Sequence, residues 1–207
     1  RDGVFWIFNG QHTTAALKIV MGGGKDIDIE CEVFYGLTRA DEALLFALQN
    51  GEAAPVKIGS KVRALYNTGH ETEVDFVNAI HEAGLEIEFD ANSVKANTVN
   101  CISTLLTSRK VLSRESFVDM LSLIRETWCG TPSSLRKEIV GAMTKFYAAY
   151  HADFDRNIFI RKLSQIDPLS IIREGALIGT HSTTSYARII AGHYNKHRSA
   201  NRLPDKL

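Results

Sequence analysis

The chain has 207 residues, of which 44% are hydrophobic and 23% charged, and its 24 Lys and Arg balance 24 Asp and Glu. That composition excludes a disordered chain and supplies enough apolar material for one substantial core or two small ones. No run approaches the roughly 18 apolar residues of a spanning helix, and no basic, apolar, small-residue signal opens the chain, so the expected location is the cytoplasm with no membrane partner.

Val4 to Phe8 reads as an apolar strand that turns at Asn9-Gly10 into a helix whose first turn carries Gln11, His12, Thr13 and Thr14. The first amides of a helix lack intrahelical acceptors and sit at the positive end of its dipole, so this turn has the chemistry of an anion site. The alternative is an ordinary helix start capped by Asn9 or Thr13. Gly22-Gly23-Gly24 ends the helix, and residues 27–35 read as a second strand. Asp26, Asp28, Glu30 and Glu32 alternate along it and could share one face, either the acidic face a metal-dependent nuclease needs or simply a solvated one.

Thr38-Arg39-Ala40-Asp41 has capping-box spacing ahead of an apolar run, predicting a helix over 38–50 that stops at Asn50-Gly51. Further helices are expected over 59–67 and 71–83, the latter with Val74, Val77 and Ile80 on one face. Lys57 and Lys61 flank Gly59-Ser60 and fit either a supply of positive charge or a solvated pair. Residues 85–89 alternate strictly and read as a strand.

From residue 92 the periodicity is helical. Phe117, Met120, Leu121, Ile124 and Trp128 form one stripe, and Leu135, Ile139, Ala142, Met143, Phe146 and Tyr150 another. Cys129-Gly130-Thr131-Pro132 reads as the turn between them, with Pro132 in the first turn of the second helix. A helix capped by Asp155, a short one from Asp167-Pro168 and a last one after Ser182 to Ser185 follow. Cys31, Cys101 and Cys129 are an odd, widely spaced set without a C-x-x-C pair, which argues against disulfides and zinc and for buried free thiols.

Charge is unevenly spread. Residues 26–90 hold 14 acids against 4 bases, and residues 91–207 hold 9 acids against 17 bases. Such asymmetry fits an intramolecular docking face, a nucleic-acid-binding half or two solvated faces. Two basic clusters are candidate DNA contacts: Arg109, Lys110 and Arg114, and a tail group of His193, Lys196, His197, Arg198, Arg202 and Lys206 beside Tyr194, in which Lys196, Arg198 and Arg202 are the assigned residues.

The segment Gly10-Gln11-His12-Thr13-Thr14-Ala15-Ala16-Leu17-Lys18, after an apolar strand and before Cys31-Glu32-Val33-Phe34-Tyr35, resembles the ParB/sulfiredoxin superfamily. That superfamily's usual form is a strand, then Asp-Gly-x-His/Arg-Arg-x-x-Ala-Ala, then a short apolar strand. The likeness is nearest to its Asp-Gly-Gln-His-Arg branch of phage and mobile-element proteins, and it covers residues 4–64 by motif. The helical remainder ending in Tyr194-Asn195-Lys196 resembles the C-terminal extension of phage ParB-like proteins.

The resemblance implies a nucleoside triphosphate, CTP as in ParB or ATP as in sulfiredoxin, with Mg, gripped at Gly10, Gln11, His12, Thr13 and Thr14 together with Asn50. It also implies DNA and a second copy of the chain as partners, and an extended segment upstream, so that this chain reads as a fragment or processed form. Thr13 stands where the family has Arg, which removes a bidentate phosphate fork. Gln49-Asn50-Gly51-Glu52-Ala53 stands where ParB has Glu-Asn-x-x-Arg, and it keeps only Asn50. Sulfiredoxin's nucleophilic Cys falls at Gln11, which excludes that chemistry; the missing groups also argue against nucleotide hydrolysis.

The expected fold is α+β, with a small ParB/sulfiredoxin-like α/β half over 1–90 and a larger helical half over 91–207. The expected function is that of a ParB-like, DNA-associated protein of a phage, plasmid or mobile element with a nucleotide pocket. The alternatives are a nuclease or phosphoryl-transfer enzyme of the same superfamily, and a degenerate scaffold that has lost its ligand. No Walker A loop, G-x-S-x-G elbow, H-E-x-x-H or zinc spacing is present in the sequence, so no catalytic residue and no metal ligand is assigned.

Overall fold

A computed structural model describes residues 5–22, 28–53, 57–89, 95–177, 182–198 and 200–207. In it the chain is mostly helical with one small parallel sheet, an α+β arrangement.

Helix α1, Gln11–Val20, starts at Gly10, whose left-handed φ of 83° suits a residue without Cβ. Helix α2, Arg39–Ala53, opens on the expected capping box. Thr38 N–H and hydroxyl donate to the Asp41 carboxylate at 2.9 and 2.7 Å, and Asp41 N–H returns a bond to the Thr38 hydroxyl at 3.3 Å. Those bonds hold the Asp41 carboxyl below its ordinary range. The helix runs through Asn50-Gly51, the expected stop, to Ala53.

Helices α3, Ile58–Asn67, and α4, Glu71–Glu82, follow. Gly59 lies so close to the turn after the next strand that a Cβ there would stand 2.0 Å from the Phe89 carbonyl oxygen. Strand β1, Glu86–Ile87, pairs in parallel with β2, Thr98–Val99, Glu86 opposite Thr98 and Ile87 opposite Val99. The strand expected over 85–89 is thus two residues long, and its partner lay unrecognised at the edge of a helical pattern.

The remaining helices are α5, Ile102–Val111; α6, Arg114–Trp128; α7, Lys137–Tyr150; α8, Arg156–Leu163; α9, Pro168–Leu177; and α10, Thr183–Asn195. Ser113, Asp155 and Ser182 cap α6, α8 and α10 by accepting from the amides of Ser116, Ile158 and Ser185. Pro132 lies in the turn before α7 and not in its first turn, because Ser134 bonds back to the Thr131 carbonyl through both its amide and its hydroxyl.

Nine residues of α7 are buried, since α5, α6, α9 and α10 surround it. Phe146 lies at the centre of a ring cluster with Tyr150, Phe154 and Phe159 at 5.2, 5.4 and 5.2 Å. Trp128 stands edge-on to Phe159, and its indole N–H donates to the carbonyls of Leu163 and Ile166, both at 2.9 Å. The Ser108 and Thr144 hydroxyls meet at 2.6 Å between α5 and α7 and satisfy each other. The same buried cluster takes in Val62, Phe76, Val77 and Ile80 of α3 and α4, and extends to Leu203. The expected division between residues 90 and 91 falls outside the described residues.

The two N-terminal strands do not form among the described residues. Residues 5–8 and 28–35 face each other through rings, Phe5 against Tyr35 at 6.4 Å and Phe8 against Phe34 at 6.0 Å, without a backbone ladder. The acidic strand face therefore does not form over Asp28, Glu30 and Glu32, and Asp26 lies outside the described residues. Helix α1 buries no residue, and Phe5, Trp6, Ile19, Val20 and Tyr35 stay largely exposed.

The thiols also differ from expectation. Cys129 is exposed because it ends α6 in a left-handed conformation, and Cys31 is exposed on the unladdered segment. Cys101 is half-buried; its thiol contacts the Leu135 carbonyl at 3.6 Å, and burial pushes its pKa up to about 12. In the native protein Ellman's reagent is expected to titrate Cys31 and Cys129 at once and Cys101 only after unfolding. Immediate reaction of all three thiols would contradict this packing.

Phe159→Ala is expected to destabilise the protein by about 3–5 kcal/mol in urea melts, because Phe159 is fully buried and its loss opens a cavity between α7 and α8. A loss below about 1 kcal/mol would mean that the ring cluster does not carry the core.

Candidate functional site

The glycine-histidine box is at the surface. Gln11, His12 and Thr13 are exposed, Thr14 is half-buried, and no side chain caps α1. Asn9 accepts from the Gly10 amide at 2.8 Å and Thr14 donates to the Gly10 carbonyl at 3.1 Å, so neither expected cap, Asn9 or Thr13, is formed. The Asn9 amide also donates to Gln49 at 2.9 Å, which brings the box against α2 at the position of the second motif. Asn50 lies in α2, with its side chain outside the described structure.

Beside the box is a cleft of about 530 Å³ lined by Trp6, Ile7, Phe8 and Gln11 from the N-terminal segment, Arg39, Glu42, Ala43 and Phe46 from α2, Ala64 from α3 and Thr68, which caps the end of α3. Gln11 is held there by donating to the Ile7 carbonyl at 2.9 Å. His12 and Thr13 are outside this lining, whereas Arg39, which sequence reasoning treated only as part of a helix start, is within it. Aromatic rings beside a guanidinium and an amide form a surface that can stack a planar ring and fork an anion.

The first basic cluster is engaged inside the fold. Arg114 bonds Asp75 at 2.7 Å and Glu82 at 2.8 Å, and Arg109 reaches Asp75 at 3.4 Å and the Leu112 carbonyl at 3.3 Å. Arg114 first and Arg109 second hold the Asp75 carboxyl below its ordinary range, while Asp75 and Glu82 raise Arg114. Of the three residues only Lys110 is exposed. Asp75 and Glu82 of α4 thus neutralise Arg109 and Arg114 locally.

The second cluster is gathered in one place. A groove of about 1020 Å³ is lined by Lys196, Arg198 and Arg202 together with Arg188, His193 and His197. Arg198 lies over the Tyr194 ring at 4.8 Å and donates to the Asn201 carbonyl at 2.8 Å. His193 reaches Glu174 on α9 at 3.0 Å. Sequence reading missed Arg188, although Arg188, Gly192 and Asn195 share one face of α10 at helical spacing; only Arg202 is brought to that face by the return of residues 200–207.

Among the described residues no three His, Cys, Asp or Glu side chains gather in a way that could hold a metal ion, and no helix is long and apolar enough to cross a membrane.

A family model described as "Family of unknown function (DUF6551)" matches residues 1–207. The chain belongs to this family. No curated protein and no solved structure matches it. For this DUF6551 member the two clefts are therefore the ground on which function is argued: an aromatic one with a single arginine, and a groove rich in cations.

The Asp75 pairs carry a pH signature. Because the folded carboxyl is lowered, its contribution is complete above the unfolded value of about 3.9 and is lost as pH falls through the folded value. Its size is at most about 1 kcal/mol, since the Asp75 side chain is 38% exposed. Unfolding free energies of wild type and Asp75→Asn should therefore differ above about pH 5 and converge as acid protonates Asp75. A gap that persists into strong acid would show that Asp75 acts by other means.

Proposed function

We propose that the chain is a ParB-like, DNA-associated protein that binds a nucleoside triphosphate beside its glycine-histidine box. The observation that carries this reading is the cleft in which Gln11 of the box meets Arg39 and the rings of Trp6 and Phe46. Thr13 removes the arginine that the resemblance calls for, and Arg39 offers a replacement fork from α2. The contact between Asn9 and Gln49 adds support, because it joins the positions of the two motifs. In this reading the uncapped amides of α1 with His12 and Thr13 receive phosphate, and the aromatic side of the cleft receives the base. Mg would arrive with the nucleotide, and duplex DNA would meet the cationic second half.

Thermal melting with CTP or ATP and Mg tests the reading. A ligand at 100 times its dissociation constant adds about 2.7 kcal/mol to stability and raises the melting temperature accordingly. Arg39→Ala should abolish that rise while leaving the melt of the free protein nearly unchanged. If neither nucleotide moves the transition, the nucleotide reading fails and the degenerate scaffold is preferred; a rise retained in Arg39→Ala would move the site away from this cleft.

A further inference from the structure

The groove beside α10 concentrates positive charge that its surroundings leave largely unbalanced. Its one lining carboxylate, Glu174, already faces His193. Behind it, Lys162 of α8 donates to the carbonyls of Tyr194 (2.8 Å) and Lys196, lodging another ammonium next to the groove. Burial, with the charges of Arg198 and Arg161, pulls the Lys162 ammonium below its ordinary range. The contrast within the molecule is direct: Arg109, Arg114 and Arg156 each meet carboxylates. Several like charges gathered on one wall with a single lining carboxylate repel, and an anion relieves that repulsion.

Arg202 joins the groove from residues 200–207, a segment pinned against α7 and α10 as a strap. Asn195 clamps both backbone groups of Leu203, accepting from its amide at 2.8 Å and donating to its carbonyl at 3.0 Å, and the Leu203 side chain is buried. Tyr150 donates to the Pro204 carbonyl at 2.8 Å and accepts from the Lys206 amide at 3.2 Å. Lys206 reaches Asp153 at 2.5 Å, and Arg188 donates through Nε to the Leu207 carbonyl at 2.8 Å. These bonds hold Arg202, adjacent to the Leu203 anchor, in the lining shared with Lys196 and Arg188.

We propose that the groove between α10 and the strap binds the phosphodiester backbone of DNA, and that docking of the strap assembles it. The proposal rests on the DNA-associated reading above and adds its contact surface and the element that builds it. A lipid surface fits less well. Among the described residues of 182–207 none is a large exposed apolar side chain, so they offer no wedge to enter a bilayer.

Fluorescence anisotropy of a labelled duplex, titrated with the full chain over a range of salt, tests it. Log affinity should fall with log salt by about 0.9 per phosphate neutralised. Lys196→Ala with Arg202→Ala should weaken binding roughly tenfold and flatten the slope by about 2, with circular dichroism unchanged. Tyr150→Phe keeps the ring and every charge but loses the hydroxyl that holds Pro204 and Lys206, and Asn195→Ala releases Leu203; both should weaken binding without removing a cation. Lys110→Ala should bind as wild type.

Binding by wild type that neither the double variant nor the strap variants alter overturns the groove and leaves the DNA reading standing. Normal binding in folded Tyr150→Phe and Asn195→Ala, with loss in the double variant, overturns the strap's part. No binding by wild type at low salt, or binding only to phosphatidylserine vesicles, overturns the DNA reading and this inference with it.

Discussion

The burial of α7 on nearly every side is the constraint on which the rest of the structure depends. A helix with nine buried residues must be surrounded, and α5, α6, α9 and α10 do so. Phe146 then sets where α8 can lie, because Phe154 and Phe159 close on its ring from the segment that follows. Trp128 ties the end of α6 to the same place through two carbonyls of the α8 region. Tyr150, on the last turn of α7, completes the cluster with its ring and spends its hydroxyl on the strap. One helix thus links the hydrophobic interior to the cationic groove.

Charge organises what the core does not. At the edge of the apolar contact between α4 and α6, where Phe76 stacks on Phe117, Asp75 bridges Arg109 and Arg114. A similar arrangement recurs on the other side of α6, where Arg156 of α8 spans Asp119 and Glu126, and Tyr147 donates to Asp119 at 2.6 Å. These pairs are partly solvated, so each adds little to stability, but they fix which faces meet. The groove beside α10 is the contrasting case, a cluster of cations with few acids near it. A protein of zero net charge can still carry one strongly positive surface.

Helices with long stripes or side-chain caps were legible in the sequence because their signals are local. Thr38 with Asp41, Asp155, Ser182 and the stripe from Phe117 to Trp128 each specify an element through neighbours one to four residues away. The sheet was legible only in part, since two residues of Thr98–Val99 alternate too briefly to stand out and their pairing depends on a distant turn: Asn97 donates to the Gly130 carbonyl at 2.8 Å. The apolar runs at 4–8 and 27–35 have strand composition, yet ladder formation requires an aligned edge, which composition does not supply. The box residues could be named but not their company. Arg39 reaches its cleft by tertiary packing, which no spacing rule anticipates, whereas Arg188 follows the helical spacing of α10 and only Arg202 needs the fold to join it.

The strap also fixes an order of events. Contacts between α6 and α7 close a short loop, whereas Tyr150 meets Pro204 across 54 positions and Asn195 must already be helical before it can hold Leu203. Closing long loops costs chain entropy that only a formed surface repays, so the strap settles after the helices it lies on. Held by a few side-chain bonds at the edge of the core, it is also among the segments that open first under native conditions, and its amides should exchange hydrogen sooner than those of α7. The groove then gains Arg202 only in molecules that have finished folding, and it loses that cation early when they begin to unfold.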